Sequence, residues 1–280
     1  MRLAHIKALV TGAAGGIGSL VTRDLVRLGA GVLLTDTRQD ALDELSGALQ
    51  TRSFRVDSLV ADITSREGRT ALAVQAKRSG VNTLINLAGV NPFGLLGEQS
   101  ADQAEIAVAI NVTAPMLLTQ SLLPFFSTLP AAHVVNVGSM LGSIAMPGYC
   151  IYGATKGAVK TFSEALRREL SDTNIRVHHV SPRATRTPLN NSKVCELNRQ
   201  LGIRMDDPSI VSEAIMQAIA NDRAETYIGF PERIYRLLNA IFPGVIDRAI
   251  RRQLPVIRQY ASQRPKMTAA GHEQAKVANP

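Results

Sequence analysis

Tyr152 and Lys156 stand four residues apart in the run Tyr152-Gly153-Ala154-Thr155-Lys156. On a helix that spacing brings both side chains to one face. A phenol ordinarily titrates near 10 and must come down by ~2–3 units to pass protons near neutrality. An ammonium beside it supplies that shift by favouring the phenolate. Ser139 lies 13 positions earlier, just past an apolar run. The chemistry on offer is general acid–base transfer at an oxygen. Tyr149 offers none of it, because its i+4 neighbour is Gly153. Many solvated helices carry a Tyr-x-x-x-Lys by chance, so the pair gains meaning only from what precedes it.

What precedes it is Thr11-Gly12-Ala13-Ala14-Gly15-Gly16-Ile17-Gly18, directly after an apolar strand-like run and at the start of a helical pattern. Glycines let a backbone turn tightly and approach a pyrophosphate, which then rests on the free N–H groups of a helix N-terminus. Asp36 follows Gly18 by 18 residues, at the end of the next apolar run, where a carboxylate can accept hydrogen bonds from a ribose diol. A glycine-rich turn without a ligand is the plain alternative, and the strand context and Asp36 both speak against it.

These residues need a scaffold, and the chain supplies one. Strand-like runs at Ile6–Val10, Val32–Thr35, Ser58–Ala61, Thr83–Leu87, His133–Val137, Arg176–Val180 and Thr226–Gly229 alternate with helical stretches near 40–49, 66–78, 103–126, 151–170 and 209–221. Apolar strands separated by helices predict an α/β fold, a doubly wound parallel sheet of the Rossmann type with helices on both faces. Residues 1–230 read as one dinucleotide-binding and catalytic domain, 231–261 as a helical extension and 262–280 as a loose, polar tail.

Two motifs in this order resemble the short-chain dehydrogenase/reductase superfamily, in the branch with Thr-Gly-x-x-x-Gly-x-Gly and Tyr-x-x-x-Lys. The resemblance runs from about Ile6 to Gly229. It implies a cofactor site built from Gly12, Ala14, Gly15, Gly16, Ile17, Gly18, Asp36, Asp62, Ile63, Asn86, Ala88, Gly89, Tyr152, Lys156, Pro182 and Thr187. It also implies a catalytic set of Asn111, Ser139, Tyr152 and Lys156, with Asn111 holding a water in a proton relay. Two positions depart from the family pattern. Leu87 stands for an Asn, which loosens a contact between strand ends, and Arg183 stands for a glycine. The implied activity is NAD(P)-dependent hydride transfer between a secondary alcohol and a ketone, or an aldehyde and alcohol. The cofactor carries the redox step and Tyr152 the proton. Asp36, with no cation among residues 12–18, predicts NAD over NADP, and Arg38 two positions on is the feature that favours NADP. A non-catalytic nucleotide-sensing protein, or a lyase or epimerase that retains its cofactor, is the alternative on the same fold.

Composition narrows the class further. The 280 residues are 45% hydrophobic and 19% charged, a globular balance. Cys150 and Cys195 fit neither a disulfide scaffold nor a metal motif, and no cluster of metal ligands is evident. His133, His178 and His179 read as structural. The N-terminus shows no apolar leader region, so a cytoplasmic protein is expected. No Asp, Glu, Lys or Arg occurs from Ile106 to Thr155, yet Asn111, Pro115, Gln120, Pro124 and Pro130 interrupt that stretch, which reads as a buried helix and strand.

The net charge of +8 is localised: residues 231–266 hold eight cations against Glu232 and Asp247. A nucleic-acid partner is therefore not expected. Ile234, Leu237, Leu238, Ile241 and Phe242 form an apolar helical stripe, Pro243-Gly244 breaks it, and a second stripe runs through Val245, Ile246, Ala249, Ile250, Leu254 and Ile257 with arginines beside it. Docking on the protein itself or on a partner subunit, a lid over a lipophilic alcohol or ketone, and peripheral contact with an anionic membrane all fit such a segment. Ile110, Ala114, Leu117, Leu118, Leu122, Phe125 and Phe126 make a helix too broadly apolar for solvent, which predicts a homodimer or homotetramer.

Overall fold

The computed structural model describes residues 3–49 and 56–262. Its seven strands are β1 (Lys7–Thr11), β2 (Gly31–Thr35), β3 (Val56–Ser58), β4 (Thr83–Asn86), β5 (Ala132–Val137), β6 (Ile175–Ser181) and β7 (Glu225–Tyr227). They form one all-parallel sheet in the order β3-β2-β1-β4-β5-β6-β7. The order reverses between β1 and β4, and a crevice opens at the carboxyl ends of such a pair. Alternate side chains of each strand serve opposite cores. Val10, Leu34, Ile85 and Val135 pack on one face under α1 (Gly18–Arg27), α2 (Gln39–Leu49) and α8 (Pro208–Ala220). Leu9, Leu33, Leu84 and Val134 pack on the other under α3 (Arg66–Ser79), α5 (Ala114–Phe126) and α6 (Cys150–Glu169). This is the expected doubly wound architecture.

The differences from the expected elements have local causes. The third strand ends at Ser58 rather than Ala61. Leu59 and Ala61 still donate to the Leu34 and Asp36 carbonyls, but the chain is already leaving the sheet toward Asp62. The single helix expected over 103–126 is α4 (Ala101–Val108) and α5, joined by a π turn at Ala109–Thr113 that carries Asn111. Among the described residues this 101–126 stretch alone is long and apolar enough to cross a membrane, yet Ala114, Leu118, Leu122 and Phe126 bury it on the sheet. Helix α7 (Ser192–Gln200), capped by Asn191, lies between β6 and α8, outside the helical stretches read from the sequence. The extension forms α9 (Phe230–Ile241) and α10 (Pro243–Ala261). The tail expected over 262–280 lies, Ser262 apart, outside the described residues.

The three strand histidines are buried. A His178 ring nitrogen, Nδ1, lies 2.8 Å from the Arg223 carbonyl, so it carries a proton and donates; Nε2 of the neutral ring then accepts from His133 Nδ1 at 2.8 Å. Burial, with the neighbouring ring adding to it, pushes His133 from 6.5 to about 4, and burial does the same to His179. The unfolded chain takes up protons on these rings below about pH 6.5, whereas the native chain holds them neutral until near pH 4. Stability present above 6.5 is therefore lost as pH falls through this window, by up to about 3 kcal/mol per ring. Thermal unfolding should show Tm dropping by roughly 10 °C across it. A flat Tm from pH 6.5 to 5, above most carboxylate titration, would mean that these rings protonate freely in the native state.

Candidate active site

The Gly-rich turn leaves β1 with Gly12 at φ +66°, a left-handed conformation that side chains resist, and a Cβ there would also meet Ala88 Cα at 2.8 Å. The turn is pinned by Ala13 N–H to the Thr35 carbonyl and Gly15 N–H to the Gly12 carbonyl, both at 3.0 Å. Helix α1 then starts at Gly18 with no side-chain cap; the Gly15 carbonyl takes Ser19 N–H at 2.9 Å, and the positive end of the helix points toward an incoming anion.

A groove of about 420 Å3 runs from this turn across the strand ends. Gly12, Ala14, Gly15, Gly16, Ile17, Gly18, Asp36, Asp62, Ile63, Ala88, Gly89 and Thr187 all line it, and so do Arg38, Val90 and Ile110. Asp36 accepts from Ala14 N–H at 3.2 Å and is paired with Arg38, whose Nε lies 3.1 Å from Oδ1. Burial raises its pKa, but the Arg38 bonds and charge and the Ala14 amide outweigh this and hold the carboxyl below its usual range. Four expected residues, Asn86, Tyr152, Lys156 and Pro182, are not in the groove lining. Asn86 donates instead to Asn136 Oδ1 at 2.9 Å and to Thr119 at 3.3 Å, tying β4 to β5 and α5. Pro182 uses its carbonyl to hold Met140 N–H beside Ser139.

Gly89, at the end of the groove lining, stands next to the acid–base residues Asn111 and Lys156. Tyr152 and Lys156 share one face of α6, with Lys156 Nζ 5.7 Å from the Tyr152 ring centroid. Lys156 Nζ donates to the Val137 carbonyl at 3.0 Å. The π turn directs Asn111 inward, where Oδ1 accepts from Val90 N–H at 2.9 Å and Nδ2 donates to the Val90 carbonyl and to Thr155 Oγ1. Thr155 in turn donates to the Tyr152 carbonyl at 2.8 Å. A Cβ on Gly89 would stand 3.1 Å from Asn111 Oδ1 and 3.7 Å from Lys156 Nζ, so its absence keeps open the junction between groove and acid–base pair. Gly142 permits the Ser139 turn to touch α6, since a Cβ there would lie 2.6 Å from the Lys156 carbonyl.

The electrostatics correct one expectation. Lys156 does not bring Tyr152 down in this structure. Burial pushes the phenol up to about 12, against a Ser139 hydrogen bond that favours its ionised form, and burial lowers Lys156 to about 8. Both side chains are almost fully enclosed and the ammonium is engaged by Val137, so desolvation outweighs their mutual effect. Tyr152 therefore holds its proton at neutral pH. Around its ring, Phe93, Leu141, Met146, Tyr149 and Val194 form an apolar wall.

Some participants were not visible in the spacing of motifs. Thr155 and Gly142 are variable-looking positions between motif residues, and only their contacts give them a role. Leu87 forms its strand-end contact through its backbone: Leu87 and Ala88 N–H both reach Thr11 Oγ1, at 3.1 and 3.2 Å. Arg183 keeps an ordinary negative φ and grips Asp206 through Nε at 2.7 Å and Nη2 at 2.6 Å, and Glu232 through Nη1 at 3.0 Å. Asp206 closes the segment that follows Thr187, so the departure from glycine ties that segment to α9.

The family model for short chain dehydrogenases matches residues 7–197. A 3-oxoacyl-[acyl-carrier-protein] reductase of Thermotoga maritima is 28% identical over 237 residues, covering 82% of this chain and 96% of its own. Among solved structures, a Burkholderia phymatum short chain dehydrogenase/reductase in complex with NAD superposes with a TM-score of 0.79 at 24% identity, covering 88% of this chain and 96% of that one. A Sphingobium yanoikuyae short-chain dehydrogenase in complex with NADPH gives 0.74 at 27% identity, with coverage of 87% and 95%.

Proposed function

The chain belongs to the short-chain dehydrogenase/reductase family, and from that membership we propose that this oxidoreductase interconverts a secondary alcohol and a ketone with Tyr152 as general acid and base. The observation that carries the reading is the strand end at Ala88 and Gly89, which lines a groove suited to a dinucleotide and stands directly beside Asn111 and Lys156. Residues 1–230 hold this chemistry.

The groove suits a nicotinamide dinucleotide. The uncapped α1 N-terminus and the Gly12–Gly18 backbone would take the pyrophosphate, Asp36 the adenosine ribose, Asp62 and Ile63 the adenine end, and Ala88, Gly89 and Thr187 the nicotinamide half. When bound, this group supplies the hydride. In reduction, the carbonyl carbon gains that hydride as its C–O π pair moves to oxygen, and the Tyr152 hydroxyl gives the oxygen its proton. The Ser139 hydroxyl holds that oxygen in place and stabilises charge on it. Lys156 and Asn111 lie where a proton can return to the phenolate. Tyr152, kept protonated by burial, is poised for reduction.

We read the substrate as lipophilic, supported by the apolar wall of Phe93, Leu141, Met146 and Tyr149. NAD is the preferred cofactor, with NADP the alternative. Ile106, Val108 and Leu117 remain exposed on the helix whose other side covers the sheet, which favours a homodimer or homotetramer closing over them. Placement in the cytoplasm, with peripheral membrane contact through residues 231–261, completes the reading. The test is NADH absorbance with purified protein and a panel of alcohols and ketones graded in size and polarity. Turnover should rise with apolar bulk on the substrate. Cofactor binding without turnover on any member would favour a nucleotide sensor, and product isomerisation without net NADH change a lyase or epimerase.

A further inference from the structure

Helix α9 is attached to the protein the wrong way round for a soluble helix. Its inward contacts are polar: Glu232 to Arg183 at 3.0 Å, the Arg236 guanidinium 4.2 Å over the Tyr227 ring, and Asn239 Nδ2 to the Ser143 carbonyl at 3.0 Å. These three residues follow i, i+4, i+7 on one face. Phe230, Ile234, Leu237 and Ile241 follow i, i+4, i+7, i+11 on the opposite face, and with Phe242 and Val245 they are between 45% and 75% exposed. No residue of α9 is buried. Amphipathic helices on soluble proteins turn this stripe toward the core; here it faces out.

Charge identifies what covers it. Val245, Arg248 and Arg252 share one face of α10 at i, i+3, i+7, and Arg251 is exposed as well, whereas Arg233 Nε is held by the Tyr227 carbonyl at 2.7 Å. Arg248, Arg251 and Arg252 form no ion pair among the described residues, and Glu232 is already engaged by Arg183, which leaves Asp247 as the exposed acid of the segment. A second copy pairing two-fold through this face would bring these cations against their own equivalents. An anionic bilayer takes both features at once, burying the apolar stripe at the acyl boundary and setting the arginines among phosphate headgroups.

We infer that the outward face of α9 and the start of α10 is a docking surface for anionic phospholipid membranes. This deepens the peripheral contact proposed above and does not depend on the redox chemistry. It also gives the extension a purpose beyond attachment. The far end of α10 packs through Ile257 and Ala261 on Phe93, Leu95 and Met146, and Phe93 and Met146 also wall Tyr152. One element thus touches both the bilayer and the apolar side of the site, which suits a substrate dissolved in lipid.

The experiment is co-sedimentation of the full chain with vesicles of phosphatidylcholine alone and of phosphatidylcholine mixed with phosphatidylglycerol. Binding is expected on the mixed vesicles and should weaken with added salt. The double variant Leu237→Glu with Ile241→Glu alters exposed positions only. It should bind at least about tenfold more weakly, with Tm, light-scattering mass and NADH turnover in buffer unchanged. No binding of the parent protein to anionic vesicles, or equal binding of the double variant, overturns the inference. So does a fall in light-scattering mass on substitution, which would assign the face to a second copy. Turnover in buffer without vesicles reports on the oxidoreductase reading separately, so either can fail alone.

Discussion

Replacing Tyr152 with phenylalanine is expected to lower kcat by about a hundredfold or more while cofactor affinity stays within about twofold. The substitution removes one oxygen and keeps the ring. That ring is 8% exposed and packed among Phe93, Leu141, Met146, Tyr149 and Val194, contacts that a phenyl group retains. What disappears is the hydroxyl that Ser139 hydrogen-bonds and the proton that burial holds in place at neutral pH. Tyr149→Phe is the matched control. Tyr149 is also buried and stacks 4.8 Å from Phe93, but it has no lysine one turn on, so its loss should leave turnover close to normal. NADH absorbance gives the rate, and the change in fluorescence of NADH itself on binding gives cofactor affinity in a chain that has no tryptophan. Tyr152→Phe retaining more than roughly a tenth of parental turnover would remove Tyr152 from the proton-transfer step.

The sequence specifies these residues locally. A glycine turn between strand and helix, and a tyrosine four residues from a lysine, are short-range patterns, and short-range patterns survive folding. The same holds for the strands, whose β-branched and leucine runs are buried on both faces. What was not legible depends on partners far along the chain. The π turn that aims Asn111 inward leaves no mark in helix periodicity, and Asn111 finds Thr155 44 residues away. Arg183 looks like a misfit glycine position until Asp206 and Glu232 close around it. The apolar stripe of α9 was legible as a stripe, but not its outward orientation, since that is decided by Arg183, Tyr227 and Ser143 taking up the polar side. The direction of the Tyr152 shift reversed for a similar reason: a lysine at i+4 tells of proximity, whereas burial and the Val137 carbonyl are tertiary facts.

Cofactor choice should turn on Asp36. The parent protein is expected to prefer NAD, and Asp36→Ala to shift the ratio of kcat/KM for NAD over NADP by about a hundredfold or more toward NADP. The carboxylate is fixed at the groove by the Ala14 amide, so a ribose diol meets a pair of oriented acceptors. A 2′-phosphate in the same place meets a negative charge. At about 5 Å and an effective dielectric near 20 this costs ~3 kcal/mol per unit charge, which is already about two orders of magnitude. Arg38 opposes it only weakly. Its guanidinium is itself held by Asp36, at 3.1 Å from Nε and 3.3 Å from Nη2, with most of the side chain in solvent. With the guanidinium largely in solvent the pair contributes ~1 kcal/mol, so a diol displaces Arg38 readily, whereas a phosphate attracting Arg38 still faces the carboxylate it leaves behind. Removing the carboxylate frees Arg38 for the phosphate, and Arg38→Ala added to Asp36→Ala should therefore give back part of the NADP gain. Arg38→Ala alone should leave NAD kinetics within about threefold. Equal or better kcat/KM with NADP in the parent protein would mean that Arg38 overrides Asp36 once a phosphate is bound.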